Sequence, residues 1–153
     1  MSESLHRSER TRVADPQSVP RPAADEPDLV VVDTTWGRLQ PLQPFPGVPT
    51  VGELEVIELV RGGAALVDTR VDGSRAGLTL PGALHLPHDQ IADRRAELDP
   101  GRVSILFCNG PQCPQTPEAI AILLDAGYPG SALAYYRGGL HDWVTLGFPT
   151  ETT

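Results

Sequence analysis

The chain has 153 residues, 40% of them hydrophobic, which suits one packed domain of soluble globular type plus an appendage. Its formal net charge of −8 argues against nucleic acid or an anionic membrane surface as a partner. All twelve basic residues are arginines, and the two cysteines, five positions apart, cannot staple a fold. The N-terminus lacks the apolar core of a secretory leader, and no apolar run approaches a membrane-spanning length. The default setting is therefore reducing and cytoplasmic.

Residues 1–27 are polar and proline-rich, with Pro16, Pro20, Pro22 and Pro27. They can bury too little to order themselves, so a disordered tail is expected. Leu29 to Asp33 is a β-branched run that reads as an extra edge strand. Pro41, Pro44, Pro46 and Pro49 mark 28–49 as an extended segment. Its apolar members Trp36, Leu39, Leu42 and Phe45 are expected to pack on the domain proper, 50–153.

Thr50-Val51-Gly52-Glu53 has capping-box spacing and predicts a helix with Leu54, Ile57 and Leu59–Val60 as its apolar face, ending near Gly62-Gly63. Ala64 to Val67 reads as a short buried strand ending at Asp68. Gly73, Gly77 and Pro81-Gly82 predict a surface loop, and Ala83 to Leu86 another strand. Asp89 to Leu98 reads as a helix closed by Asp99-Pro100-Gly101. A strand over Ile105–Phe107 is followed by a helix from Pro117, with Thr116 as its N-cap and Ile120, Leu123 and Leu124 on one face. A strand over Leu133–Tyr136 and a helix over Leu140–Leu146 complete the chain. Short buried strands alternating with helices predict an α/β fold, a mostly parallel central sheet with helices on both faces.

The loop Cys108 to Gln115 then hangs between the C-terminal end of a strand and the N-terminus of a helix. In open α/β sheets that crevice is where ligands bind. Free amide N–H groups and the helix dipole favour negative charge there, so a thiolate is stabilised. Cys108 is the candidate nucleophile; the alternative is an inert core cysteine.

Four stretches in order carry a family resemblance. They are Leu66-Val67-Asp68-Thr69-Arg70, Pro81-Gly82-Ala83, the loop after Cys108 with its helix ending in Ala126-Gly127-Tyr128, and Tyr136-Arg137-Gly138-Gly139…Trp143…Gly147-Phe148-Pro149. Over roughly Thr50 to Glu151 the chain resembles the rhodaneses, sulfurtransferase domains. The resemblance implies that Cys108 attacks the sulfane sulfur of thiosulfate or a thiol persulfide, becomes a persulfide, and yields the sulfur to cyanide or a thiol. It places the transferred sulfur in a cradle of amides from Asn109, Gly110, Gln112, Cys113, Gln115 and Thr116, with Arg137 beside the loop. It implies no cofactor, and small-molecule sulfur donors and acceptors as partners. The oligomeric state is not readable from the sequence.

The loop departs from the family in several ways. Asn109 to Gln115 contains no basic residue, so Arg70, Arg75 or Arg137 would have to supply positive charge from outside. Thr79 stands where the family frequently has a histidine. Cys113 is a variation on the loop: it either resolves a Cys108 persulfide as a disulfide or is simply a small residue. Six residues after Cys108 stands Pro114, where the related phosphatases carry an arginine that clamps phosphate, which argues against that chemistry. His85, His88, Cys108 and Cys113 lack metal-ligand spacing, so no metal site is expected. Asp68 and Arg70 are read as structural hydrogen-bonding residues and Trp143 as a core anchor. A non-catalytic or regulatory module binding a protein partner is the alternative function.

Overall fold

The computed structural model describes residues 21–22, 24–26, 28–31 and 39–153. Two short strands, β1 (Arg21–Pro22) and β2 (Val30–Val31), pair antiparallel as a ribbon of their own. Most of the expected tail, the end of the expected edge strand at residues 32–33 and Trp36 lie outside the described residues. In chain order there follow α1 (Glu53–Arg61), β3 (Ala65–Asp68), β4 (Leu78–Thr79), β5 (Leu84–His85), α2 (Ile91–Arg94), β6 (Ser104–Phe107), α3 (Gln115–Asp125), β7 (Leu133–Tyr136), α4 (Gly139–Thr145) and β8 (Glu151–Thr152).

The central sheet has the order β5-β3-β6-β7, and every pair is parallel. Consecutive side chains on a strand point to opposite faces, and the two cores follow that alternation. Val67, Leu106, Leu133 and Tyr135 face a core shared with Ile91 of α2 and Ala119, Ile120 and Leu123 of α3. Leu66, Ile105, Phe107, Ala134 and Tyr136 face a second core with Val56 of α1 and Leu140 and Trp143 of α4. Leu106 and Phe107, with no side chain exposed, show why the strand reads as a continuous apolar run. The expected α/β architecture with helices on both faces is the observed one. β4 and β8 pair antiparallel as a separate two-stranded sheet and had no signal of their own in the sequence.

Several local expectations shift. Thr50 does not cap α1; it forms a parallel bridge to Tyr135 and extends the sheet beyond β7. The reciprocal bond moves two residues on, with the Gly52 N–H donating to the Glu55 carboxylate at 3.1 Å. The buried residue of α1 is Val56, while Leu54 is 72% exposed. The helix expected over Asp89–Leu98 is a single turn, α2, that tightens to a 3-10 turn over Arg95–Glu97. The Arg94 guanidinium bonds Glu97 three residues on, a spacing that the three-residue repeat aligns. In the proline-rich segment Phe45 packs on the core, but Leu39 and Leu42 are exposed, Leu42 by 73%.

α3 begins at Gln115 with Pro114 before it, so Thr116 lies in the first turn and not at the cap. Pro117 is tolerated because N–H groups of the first turn have no intrahelical partner to lose. This shift of two residues frees the Thr116 hydroxyl for the loop it faces.

Candidate active site

β6 delivers Cys108 at its C-terminal end, with α3 beginning seven residues later. Cys108 and Cys113 are 2% and 3% exposed, and they pack against each other as an isolated buried pair. A turn brings them together: the Cys113 N–H donates to the Gly110 carbonyl at 3.0 Å, across Pro111 and Gln112. Proline pre-sets the backbone at the second position of such a turn. The Cys108 thiol lies 3.5 Å from the Cys113 carbonyl oxygen.

Burial pushes the Cys108 thiol up, but the donors around it together outweigh burial and hold it below the ordinary cysteine value. Those donors are the Cys113 thiol, the Thr116 hydroxyl and the N–H groups of Thr116 and Gly110. Cys113 moves the other way. Its hydrogen bond to Cys108, its burial and the neighbouring negative charge keep it protonated, against amides of Gln115 and Asn109. Within the pair, ionisation is therefore favoured at Cys108 over Cys113.

The other expected site residues divide into two groups. The amides of Asn109, Gly110, Gln115 and Thr116 reach one sulfur or the other, whereas the Cys113 amide is taken by Gly110. The Asn109 side chain turns away and accepts from Arg70 Nη1 at 3.0 Å. Gln112 is buried in the loop, and the Gln115 side-chain oxygen is buried without a hydrogen-bond partner among the described residues. Arg137 gives its Nε–H to the Gln40 carbonyl at 2.9 Å, while the Gln40 N–H donates to Pro111 in the loop at 2.7 Å. The proline-rich segment is in this way clasped to the loop that follows Cys108.

Arg70 is fully buried and holds the loop from behind. It makes a two-pronged contact to Asp68, 2.9 Å from Nε and 2.7 Å from Nη2, and donates also to the carbonyls of Ser74, Arg75 and Leu78. Thr79 Oγ1 donates to Asp68 at 2.9 Å, which gives the residue in the usual histidine position a structural task. His85 contacts the Arg70 carbonyl at 2.6 Å, and His88 faces Glu118 at 3.0 Å, so neither turns to the cysteines. Among the described residues no cluster could hold a metal ion.

Three features had no clear signal in the sequence. Thr69 Oγ1 donates to the Phe107 carbonyl at 2.9 Å and lies 2.8 Å from Thr116 Oγ1, the hydroxyl beside Cys108. Tyr135, aligned with Leu106 on the same face as Cys108, has a buried hydroxyl with no hydrogen-bond partner among the described residues. Gly139 starts α4 against the loop, where the Leu140 N–H donates to the Cys108 carbonyl at 3.0 Å. Only the adjacent Gly138-Gly139 hinted at this close approach. A hollow lined by Glu58, Gly62 and Arg102 lies at the opposite end of the sheet, before β3 and β6, away from this chemistry.

The comparisons agree with this geometry. Residues 54–146 match the sequence profile of the rhodanese-like domain. An HTH-type transcriptional regulator of Mycobacterium tuberculosis is 33% identical over 90 residues, 59% of this chain and 38% of its own, so this chain spans well under half of that relative. The crystal structure of a thiosulfate sulfurtransferase from Pseudomonas aeruginosa is similar at 30% identity and a TM-score of 0.55, over 68% of this chain and 20% of that one. The rhodanese-like domain of an Anabaena protein, solved by NMR, superposes with a TM-score of 0.58 at 24% identity, over 69% and 80% of the two chains. With the profile matching more than half of its length, the chain belongs to the rhodanese-like domain family.

Proposed function

We propose that the chain is a sulfurtransferase that carries a sulfane sulfur on Cys108. The observation that carries this reading is the donor set converging on one buried sulfur, which favours its anion despite the burial. With thiosulfate, the Cys108 thiolate attacks the outer sulfur, the sulfur–sulfur bond breaks and sulfite leaves with its electron pair. Cys108 then bears a persulfide whose outer sulfur lies among the loop amides. Cyanide or an acceptor thiolate attacks that sulfur and returns Cys108 as the thiolate. A thiol persulfide serves as donor by the same displacement. The partners in this reading are small molecules in a reducing, cytoplasmic setting. Thiocyanate formation from thiosulfate and cyanide tests it: the parent turns over and Cys108→Ala does not, and equal rates would refute it.

One observation favours a second reading. The curated relative is a transcriptional regulator in which the aligned stretch is a minor part of the chain. A module of this kind would report the sulfur state of Cys108 to a protein partner. Absence of thiocyanate formation, together with stable sulfur loading on Cys108, would favour it over turnover.

A further inference from the structure

Cys113 lends Cys108 a hydrogen bond, but simple sulfur transfer does not use its sulfur as a nucleophile. Three observations bear on it. Its side chain touches that of Cys108 and no other buried apolar residue, a two-member cluster inside the domain. The Gly110-to-Cys113 turn fixes that contact within the backbone of the loop. Both thiols are free, so neither is committed to a disulfide or, among the described residues, to a metal cluster. A thiol held against a persulfidated neighbour has an intramolecular reaction available, at an effective concentration no external acceptor matches.

We propose that Cys113 resolves the Cys108 persulfide, so that the chain reduces sulfane sulfur to hydrosulfide. This inference rests on the sulfurtransferase reading above and deepens it. The Cys113 sulfur attacks the inner sulfur, that of Cys108, and a Cys108–Cys113 disulfide forms as the bond to the outer sulfur breaks. The outer sulfur takes that electron pair and the Cys113 proton, and leaves as HS⁻. Two thiols are oxidised by two electrons and the sulfane sulfur is reduced by two. An external dithiol then returns the disulfide to the starting pair.

The proton explains why a protonated Cys113 is suited to this step. A persulfide anion cannot expel its outer sulfur as a bare dianion; it needs a proton delivered at the moment of cleavage. In the resting pair Cys113 still holds one, because its hydrogen bond to Cys108, its burial and the neighbouring charge keep it there. Once the charge has moved from Cys108 to the outer sulfur, the same proton has a new acceptor nearby.

The test is a single turnover of the full chain, reduced, freed of reductant and mixed without oxygen with excess thiosulfate. Arginine-specific cleavage then releases Val103–Arg137, which carries both cysteines. The expected result is one hydrosulfide per chain and a peptide lighter by two hydrogens that resists alkylation. Cys113→Ser should release none and retain one extra sulfur atom on Cys108, which cyanide removes as thiocyanate. If the parent instead keeps the persulfide with Cys113 open to alkylation, the resolving step is wrong and the sulfurtransferase reading stands. If neither protein takes up sulfur and neither forms thiocyanate, both readings fall.

Discussion

Thr116 has one hydroxyl proton and two neighbours that can accept it. Thr69 gives its own proton to the Phe107 carbonyl, so in the neutral pocket Thr116 donates to Thr69 at 2.8 Å. Ionised Cys108 draws that proton to sulfur instead, and the hydroxyl pair swings with the charge it stabilises. Replacing Thr116 by valine removes this donor and should raise the pH at which Cys108 ionises. One charge-assisted bond of about 1.5 kcal/mol is roughly a tenfold shift of the ionisation equilibrium, with Thr116→Ser restoring most of it. Thiolate absorbance against pH, in a Cys113→Ser background, reads this directly; an unmoved titration would remove Thr116 from the donor set. Asp68 is the other residue whose charge the fold depends on. Burial pushes its carboxyl up, but bonds from Arg70 and Thr79 outweigh that and hold it below the ordinary carboxylate range. A depressed folded value means that the stabilisation is complete at neutral pH and is lost as pH falls through that lowered value. Asp68→Asn leaves the Arg70 guanidinium buried and uncompensated, and should cost about 3–5 kcal/mol in a denaturant titration near neutral pH. A loss below about 1 kcal/mol, the scale of an exposed pair, would show that Arg70 finds other charge.

At the scale of elements, the loop is held between the start of α4, the Asp68–Arg70 pair and the proline-rich segment. The closest of these contacts is α4: Gly139 has φ of +60°, and a Cβ there would overlap the Cys108 carbonyl oxygen and sit 2.8 Å from the Gly110 nitrogen. Both the backbone angle and the space require glycine. Gly139→Ala should therefore lower the melting temperature by several degrees and abolish sulfur transfer, because the loop that aims Cys108 must move. Retained activity at an unchanged melting temperature would mean that the loop is positioned from its other sides alone. This packing explains what the sequence could and could not disclose. Leu133–Tyr136 was legible to the residue, since a buried parallel strand is written as a local apolar run. Cys108 was legible because the strand's end and the helix's start both have local signals. The α3 start was misplaced because Thr116-Pro117 is a good local cap, yet the tertiary bond of Thr116 to Thr69, 47 positions away, takes precedence. The Arg70–Asn109 bond, spanning 39 positions, had no local trace, and neither did the antiparallel pair of β4 and β8.

The molecule as a whole carries a net charge of −8, and its arginines near the site are already engaged. Arg70 is buried among Asp68, Asn109 and three carbonyls, and Arg75 also turns to Asp68, at 3.3 Å. Arg137 spends its Nε–H on Gln40. A doubly charged donor such as thiosulfate therefore approaches an acidic protein through a loop that offers amides and neutral side chains. Two consequences follow, on different length scales. Over distances near the screening length, about 10 Å at 0.1 M salt, repulsion slows encounter, so added inert salt should raise kcat/KM for thiosulfate. An uncharged organic persulfide should show no such rise. At contact distance, Gln112→Arg would place a guanidinium on the Cys108 loop itself. Such a charge-assisted bond contributes about 1.5–3 kcal/mol, roughly one to two decades in affinity. Gln112 is 7% exposed, so the longer side chain must leave the loop's interior, and the lower end of that range is expected. The variant should thus lower KM for thiosulfate about tenfold and flatten its salt dependence, with little change for the uncharged persulfide. Initial rates for both donors, parent and variant, at two ionic strengths decide the matter. If the parent already saturates with micromolar thiosulfate regardless of salt, an outer arginine reaches the donor and the loop's neutrality does not set its specificity.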